Sequence, residues 1–335
     1  LVAPHTKETS PTLATQQTEA ITARFAELFD AISTNIQRAI QGKSEVVDLV
    51  LLCLVSEGHL LIEDVPGVGK TSLAKALAKS LDTSFGRMQF TPDLLPSDVV
   101  GVTVWNRSDS RFEFRPGPIF ASVVLGDEIN RASPKTQSAL LEAMAEGQVT
   151  VDNETYKLGP PFMVIATQNP IEHEGTYPLP ESQLDRFLMR VSVGYPDRDA
   201  EIDVLEMHGD TSPLDDITAV ATGADVEEMI KMARAVHVAP ALKAYLVDVA
   251  DATRRHQHLS LGMSPRATLS LQRVARARAA ANGRNYVVPD DIKALADPVL
   301  AHRLMVTPEA QLQGLSSATA LAEVLAAVPV PTSGE

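Results

Sequence analysis

Cysteine is almost missing from this chain: Cys53 is the only one in 335 residues. A single thiol builds no intrachain disulfide and no cysteine-based zinc site, so a reducing cytosol is the simplest setting and a cytoplasmic location is expected. Aromatic residues are scarce too, at 4% with one tryptophan, against 44% hydrophobic residues. The core must be filled mostly by aliphatic side chains, and there are enough of them for one large domain or two. Basic residues fall short of acidic ones, 29 against 43, which gives a net charge of −14. Such a chain repels a polyanion at long range, so no nucleic-acid partner is expected. Long apolar runs are absent: Leu49–Val55 is too short to span a bilayer, and no membrane insertion is expected. The first 17 residues, rich in Thr, Pro and Gln, have no apolar stretch of the kind a signal peptide needs. No His-Glu-x-x-His occurs, and Glu172-His173-Glu174 lacks a further ligand at a usual spacing, which speaks against a metal site there.

What is present centres on Leu60-Leu61-Ile62-Glu63-Asp64-Val65-Pro66-Gly67-Val68-Gly69-Lys70-Thr71. The apolar start reads as a buried strand, Pro66, Gly67 and Gly69 as a sharp loop, and Ser72–Ala78 as helix-forming material. Strand, glycine loop, Lys-Thr, helix is the architecture of a phosphate-binding P-loop. Glycines let backbone N–H groups approach phosphate oxygens, and the helix N-terminus favours negative charge. Lys70 can reach the β- and γ-phosphates, and the Thr71 hydroxyl can ligate Mg²⁺. The pattern G-x-x-x-x-G-K-[ST] would place glycine at position 64, where this chain has Asp64; read locally, that acid belongs to a solvated turn.

A second landmark follows. Ala121–Glu128 is an apolar strand ending in Asp127-Glu128. Taken alone, such an ending is a polar strand edge. Downstream of a Lys-Thr P-loop, Asp127 suits Mg²⁺ and Glu128 suits the attacking water. The strand Phe162–Thr167 then ends at Gln168-Asn169-Pro170, where an amide can hydrogen-bond water or the γ-phosphate.

In chain order, residues 1–17 read as a disordered tail. Ile21, Phe25, Leu28, Ile32, Ile36 and Ile40 mark one apolar face of a long helix, and Ser44 is expected to N-cap a second helix through Val55. Val100–Val104 with Arg111–Phe114, and Gln148–Leu158, read as hairpins. Leu188–Val193 is the last strand. Residues 18–197 form an α/β nucleotide-binding core, 199–208 a connecting helix within a 198–224 linker, and 225–330 a small all-α domain. There a helix starts at Ser264-Pro265, with serine as cap and proline at the first position. Arg266, in its first turn, is placed to reach back toward a phosphate at the cleft between domains.

With these pieces in order, the chain resembles the MoxR family of AAA+ ATPases over roughly Phe25 to Met305. The stretches that carry the resemblance are Glu63–Thr71, Gly126-Asp127-Glu128-Ile129-Asn130-Arg131-Ala132, Ala166-Thr167-Gln168-Asn169-Pro170, Tyr177–Phe187 and Ser264-Pro265-Arg266-Ala267. The resemblance implies a P-loop AAA+ core, a parallel sheet flanked by helices with hairpin inserts, plus an all-α lid. It implies ATP and Mg²⁺ as cofactors. Pro66, Gly67, Val68, Gly69, Lys70, Thr71 and Ser72 would form the Walker A loop, with Thr71 and Asp127 toward the metal and Glu128 as the base. Asn169 would be sensor 1, Arg266 sensor 2, and Arg186 the arginine finger offered to the next subunit, with Arg131 a further interface candidate. It implies ATP hydrolysis in a homo-oligomeric ring, a hexamer, that remodels or activates a client enzyme alongside a von Willebrand factor A domain protein. The alternatives are a magnesium-chelatase-like motor subunit and a nucleotide-gated regulatory scaffold.

Overall fold

The computed structural model of the chain describes residues 13–170, 175–196, 198–199, 201–202 and 213–331. Its centre is a five-stranded parallel sheet built from β1 (Leu60–Glu63), β2 (Phe85–Gln89), β5 (Val123–Asp127), β8 (Met163–Gln168) and β9 (Met189–Val191), in the order β2-β5-β8-β1-β9. The central strands are apolar on both faces, as a sheet covered on both sides requires. Leu60 and Ile62, Val123 and Leu125, and Met163 and Ile165 point into one core. Leu61, Val124, Val164 and Ala166 point into the other.

The first core is closed by α1 (Leu13–Gln37), α2 (Ser44–Val55), α3 (Lys70–Ser80) and the second domain. Helix α1 begins inside the segment read as a tail; residues 1–12 lie outside the described residues. Phe25, Ile32 and Ile36 are buried as the spacing predicts, and Phe29 joins them, whereas Ile21 is 46% exposed. Ser44 is the first helical residue of α2 rather than its cap. The position before it, Lys43, makes no cap bond and sends Nζ to Tyr195 O (2.8 Å). Cys53 is buried in this core.

The second core lies under α4 (Pro96–Val100) and α5 (Pro134–Glu146). Two hairpins stand beside it: β3 (Gly101–Asn106) with β4 (Arg111–Pro116), and β6 (Gln148–Val151) with β7 (Glu154–Lys157). Phe114 of the first stacks on Tyr156 of the second with ring centroids 4.1 Å apart, so the two expected hairpins form one projection.

The connecting helix read over 199–208 and the start of the linker fall largely outside the described residues. From Leu214 the linker is irregular yet anchored: Leu214, Ile217 and Ala221 pack into the first core, and the N–H groups of Val220 and Ala221 both donate to Ser80 O. After the short core helix α6 (Glu181–Leu184), the second domain follows with α7 (Gly223–Ala235), α8 (Pro240–Arg255), α9 (Pro265–Ala281), α10 (Pro289–Leu300), α11 (Pro308–Leu312) and α12 (Ser317–Ala327). Ser264 Oγ accepts from Ala267 N, the cap expected of Ser-Pro. The domain also contains an antiparallel pair, Leu259–Leu261 with Met305–Val306, too short to leave a periodic signal. Its helices pack on α1, α2 and the β9 edge of the sheet.

Ile165 is fully buried at the sheet centre and Phe112 is 71% exposed on the hairpin. Ile165→Ala is therefore expected to cost about 2–5 kcal/mol of unfolding free energy in urea denaturation, and Phe112→Ala close to none.

Candidate functional site

Parallel strands bring their carboxyl ends to one side of a sheet. Here the loop after β1, the end of β5 and the end of β8 meet around a cavity of about 270 Å³ lined by Gly67, Lys70, Thr71, Asp127, Glu128 and Asn169, with Pro66, Gly69, Ser72 and Arg87. Gly67 and Gly69 have φ of +88° and +85°, a backbone that a side chain would strain. Gly69 occupies the cap position of α3 without a side-chain cap, which leaves the first N–H groups of that helix for an anion. Lys70 Nζ donates to Asp64 O (2.9 Å) and Val65 O (3.2 Å). Burial lowers the pKa of its ammonium against the opposing pull of Asp127, Asp64 and Glu128.

Adjacent residues of a strand point to opposite faces, so Asp127 and Glu128 need a break in the pleat to share one cavity. Glu128 supplies it: the residue sits in the left-handed region at φ 56°, ψ 51°, a strained conformation for a side chain of this size. Thr167 fixes both acids. Its hydroxyl donates to Asp127 Oδ1 (2.7 Å) and accepts from Glu128 N (2.9 Å). Arg87 Nη2 donates to Asp127 Oδ2 (2.9 Å), while Gln89 Nε2 (2.8 Å) and Arg131 Nη1 (3.0 Å) donate to Glu128 Oε2. Arg131, expected at an interface, thus engages the acid of its own chain. Asn169 is buried at the end of β8 and lines the same cavity. The donors beside the cradle, the Thr71 hydroxyl and the Asp127 carboxylate, are hard oxygens that fit Mg²⁺.

The two catalytic arginines expected from the sequence are elsewhere. Arg186 precedes β9, at the amino end of the sheet, and its Nη1 donates to Leu141 O (2.7 Å). The length of the strands, roughly 10 Å at ~3.3 Å per residue, separates that end from the P-loop. Arg266 lies beside it, Nε 3.9 Å from Asp185 Oδ2, and both line a different cavity from the one that holds Lys70. Whether Arg266 faces its own phosphate cradle or a neighbour's was open from the sequence; the second domain packs on the β9 edge and carries this arginine to the amino end of the sheet.

A family profile described as "ATPase family associated with various cellular activities (AAA)" matches residues 59–189, and one described as "AAA lid domain" matches 251–324. The chaperone MoxR1 of Mycobacterium tuberculosis is 40% identical over 88% of this chain and 80% of its own. The chain belongs to the MoxR family of AAA+ ATPases. The uncharacterized protein YeaC of Bacillus subtilis is 49% identical over 89% of this chain and 93% of its own. A crystal structure from Cytophaga hutchinsonii, of a protein assigned as an ATPase, superimposes with a TM-score of 0.88 at 36% identity, covering 96% of this chain and all of the other. The MoxR-type core and lid are thus the fold seen here. Among the described residues no helix is long and apolar enough to cross a membrane.

Four contributors to the site were not legible beforehand. Thr167, Arg87 and Gln89 act through partners about 40 residues away in sequence, and nothing local marks them. The fourth is Asp64, which is buried rather than solvated. Its Oδ2 accepts from Gly194 N (2.6 Å), Val193 N (2.7 Å) and Ser192 Oγ (3.0 Å), and its Oδ1 from Val65 N (2.8 Å). The residue standing at the usual glycine position therefore ties the P-loop to the chain leaving β9. Burial alone would raise its pKa, but these four hydrogen bonds outweigh it and hold the carboxyl below the usual range. Because the folded value is depressed, its stabilisation is full above the unfolded value of about 3.9 and is lost as pH falls through the folded one. Asp64→Asn is expected to cost about 1.5–3 kcal/mol at pH 7, and the gap from the unchanged protein should close in urea titrations below about pH 4.

Proposed function

We propose that this chain hydrolyses ATP to ADP and phosphate in a ring of identical subunits, and that each subunit's ATP is completed by arginines of its neighbour. One observation carries the reading: Arg186 and Arg266 stand together at the amino end of the sheet, while the phosphate cradle lies at the carboxyl end. Lys70 and a bound Mg²⁺ would offset part of the charge that develops on the γ-phosphoryl oxygens, and an arginine from the neighbour adds to it in the transition state. Supplying an arginine in trans raises such turnover by about 10³–10⁵.

Within one subunit the division of labour follows the geometry. The P-loop N–H groups and Lys70 bind the phosphates. Asn169 and Glu128 orient water, and Glu128 takes its proton as the oxygen attacks phosphorus and ADP leaves. Thr167, Gln89 and Arg131 hold the Glu128 backbone and carboxylate, so the base is set before water arrives. Bound through Thr71 and Asp127, Mg²⁺ would supply charge neutralisation at the phosphate oxygens.

Coupling to work fits the same architecture. Kinship with a protein named as a chaperone supports remodelling of a client protein. A hexamer, a von Willebrand factor A domain partner and a cytoplasmic site complete this reading. The first two rest on the family resemblance, and the cytoplasmic site on the near-absence of cysteine.

The deciding experiment mixes two inactive variants. Lys70→Ala loses nucleotide but still offers arginines; Arg186→Ala holds nucleotide but offers no finger. Each alone should turn over at least about 10³-fold slower than the unchanged protein, with Arg186→Ala keeping near-normal ATP affinity. Mixed in equal amounts they should recover a substantial fraction of the activity, measured by phosphate release. No recovery in rings shown to be mixed would contradict the trans assignment.

A further inference from the structure

The junction of core and lid gathers more arginine than the ATPase reading uses. A cavity of about 160 Å³ is lined by Arg186, Arg266, Arg273 and Arg303 against two acids, Glu57 and Asp185. Glu57 is already bonded by Arg234. Asp185 is shared, its Oδ1 3.2 Å from Arg303 Nε and its Oδ2 3.9 Å from Arg266 Nε. His59, also in the wall, is held neutral: burial takes its pKa down to about 4, and its Nδ1 accepts from Val164 N while Nε2 donates to Met144 O. On a chain of net charge −14, this is a local excess of positive charge.

Arg303 points to what would answer that excess. Its side chain is only 4% exposed. Nη2 donates to Phe187 O (2.8 Å), and His302 Nε2 meets the same carbonyl at 3.1 Å. Nε faces Asp185 without hydrogen-bond alignment, and Nη1 has no hydrogen-bond partner among the described residues. Leaving a buried donor without an acceptor carries a desolvation penalty, larger for a charged group. Burial brings the Arg303 pKa down to about 10; Asp185 opposes that, and Arg266 and Arg273 reinforce it by repulsion. Partial desolvation of the Arg273 guanidinium, whose side chain still reaches solvent, lowers its pKa as well; Glu57 opposes this, and Arg234 and Arg266 add to it by repulsion. It lies seven residues beyond Arg266 on α9, two turns along the same face, and its exposed surface marks the mouth of the cavity.

An oxyanion meets every one of these demands. It gives Nη1 an acceptor, and guanidinium forks match the geometry of phosphate oxygens. At ~30 Å³ per water, the volume equals about five waters, enough for one tetrahedral anion and too little for a nucleoside. We propose that this cavity is a phosphate-group site in which Arg273 and Arg303 complete the set begun by Arg186 and Arg266. The group is either the terminal phosphate of the neighbour's nucleotide, which rests on the ring reading above, or inorganic phosphate, which does not.

The test uses Lys70→Ala, so that the P-loop does not compete. Inorganic phosphate is titrated calorimetrically into dilute Lys70→Ala protein and into Lys70→Ala/Arg273→Met, which alters only the exposed mouth. Arg303→Lys on the same background keeps the charge but loses the planar fork. Saturable binding, weakened at least tenfold by each second change, supports the free-phosphate form. If protomers bind none, Arg273→Met is placed on the Lys70→Ala partner of the mixed rings. A tenfold or greater loss of the recovered turnover then supports the neighbour's phosphate. Binding unaffected by Arg273→Met overturns the proposal, and so does no binding combined with unchanged mixed-ring turnover. In that last case the trans ATPase reading still stands.

Discussion

Strand direction is the constraint from which the rest follows. Five strands running the same way put all their carboxyl ends on one edge, and the P-loop, Asp127, Glu128 and Asn169 converge there because each follows a strand. The same parallelism puts Arg186, which precedes its strand, on the opposite edge. No side-chain rotation closes a gap set by the length of a sheet. The separation of cradle from arginine is therefore a property of topology, and under the proposed reading hydrolysis brings together two copies.

The lid enforces this separation instead of bridging it. Its helices cover α1, α2 and the β9 edge, and the consecutive buried residues His302 and Arg303 converge on Phe187 O, one residue beyond Arg186. On the other side of the same strand, Asp64 holds the chain that leaves β9 through Val193 and Gly194. β9 is thus gripped at its amino end by the lid and at its carboxyl end by the P-loop. Movement of the phosphate cradle and movement of the arginine-bearing turn share one short strand as their connection.

Much of this was legible in the sequence because it is local. The P-loop is a contiguous string, the acids close an apolar run, and the Ser264-Pro265 cap announces a helix. What was not legible depends on partners far along the chain. Asp64 looked like a turn residue since its acceptors bind groups about 130 residues away. Arg266 was recognisable by type, but its destination depends on how an entire domain packs. The strands Leu259–Leu261 and Met305–Val306 are shorter than any period that alternation can reveal, and Ile21 is left exposed on α1 because tertiary packing, not spacing, decides which positions are covered.

The central claim is that one copy of this chain is an incomplete enzyme. Steady-state ATP hydrolysis per subunit, measured across a wide dilution series, tests it most directly. The account requires specific activity to rise steeply with protein concentration and to level off where sedimentation shows rings. Specific activity that stays constant down to concentrations at which the protein sediments as a monomer would contradict it.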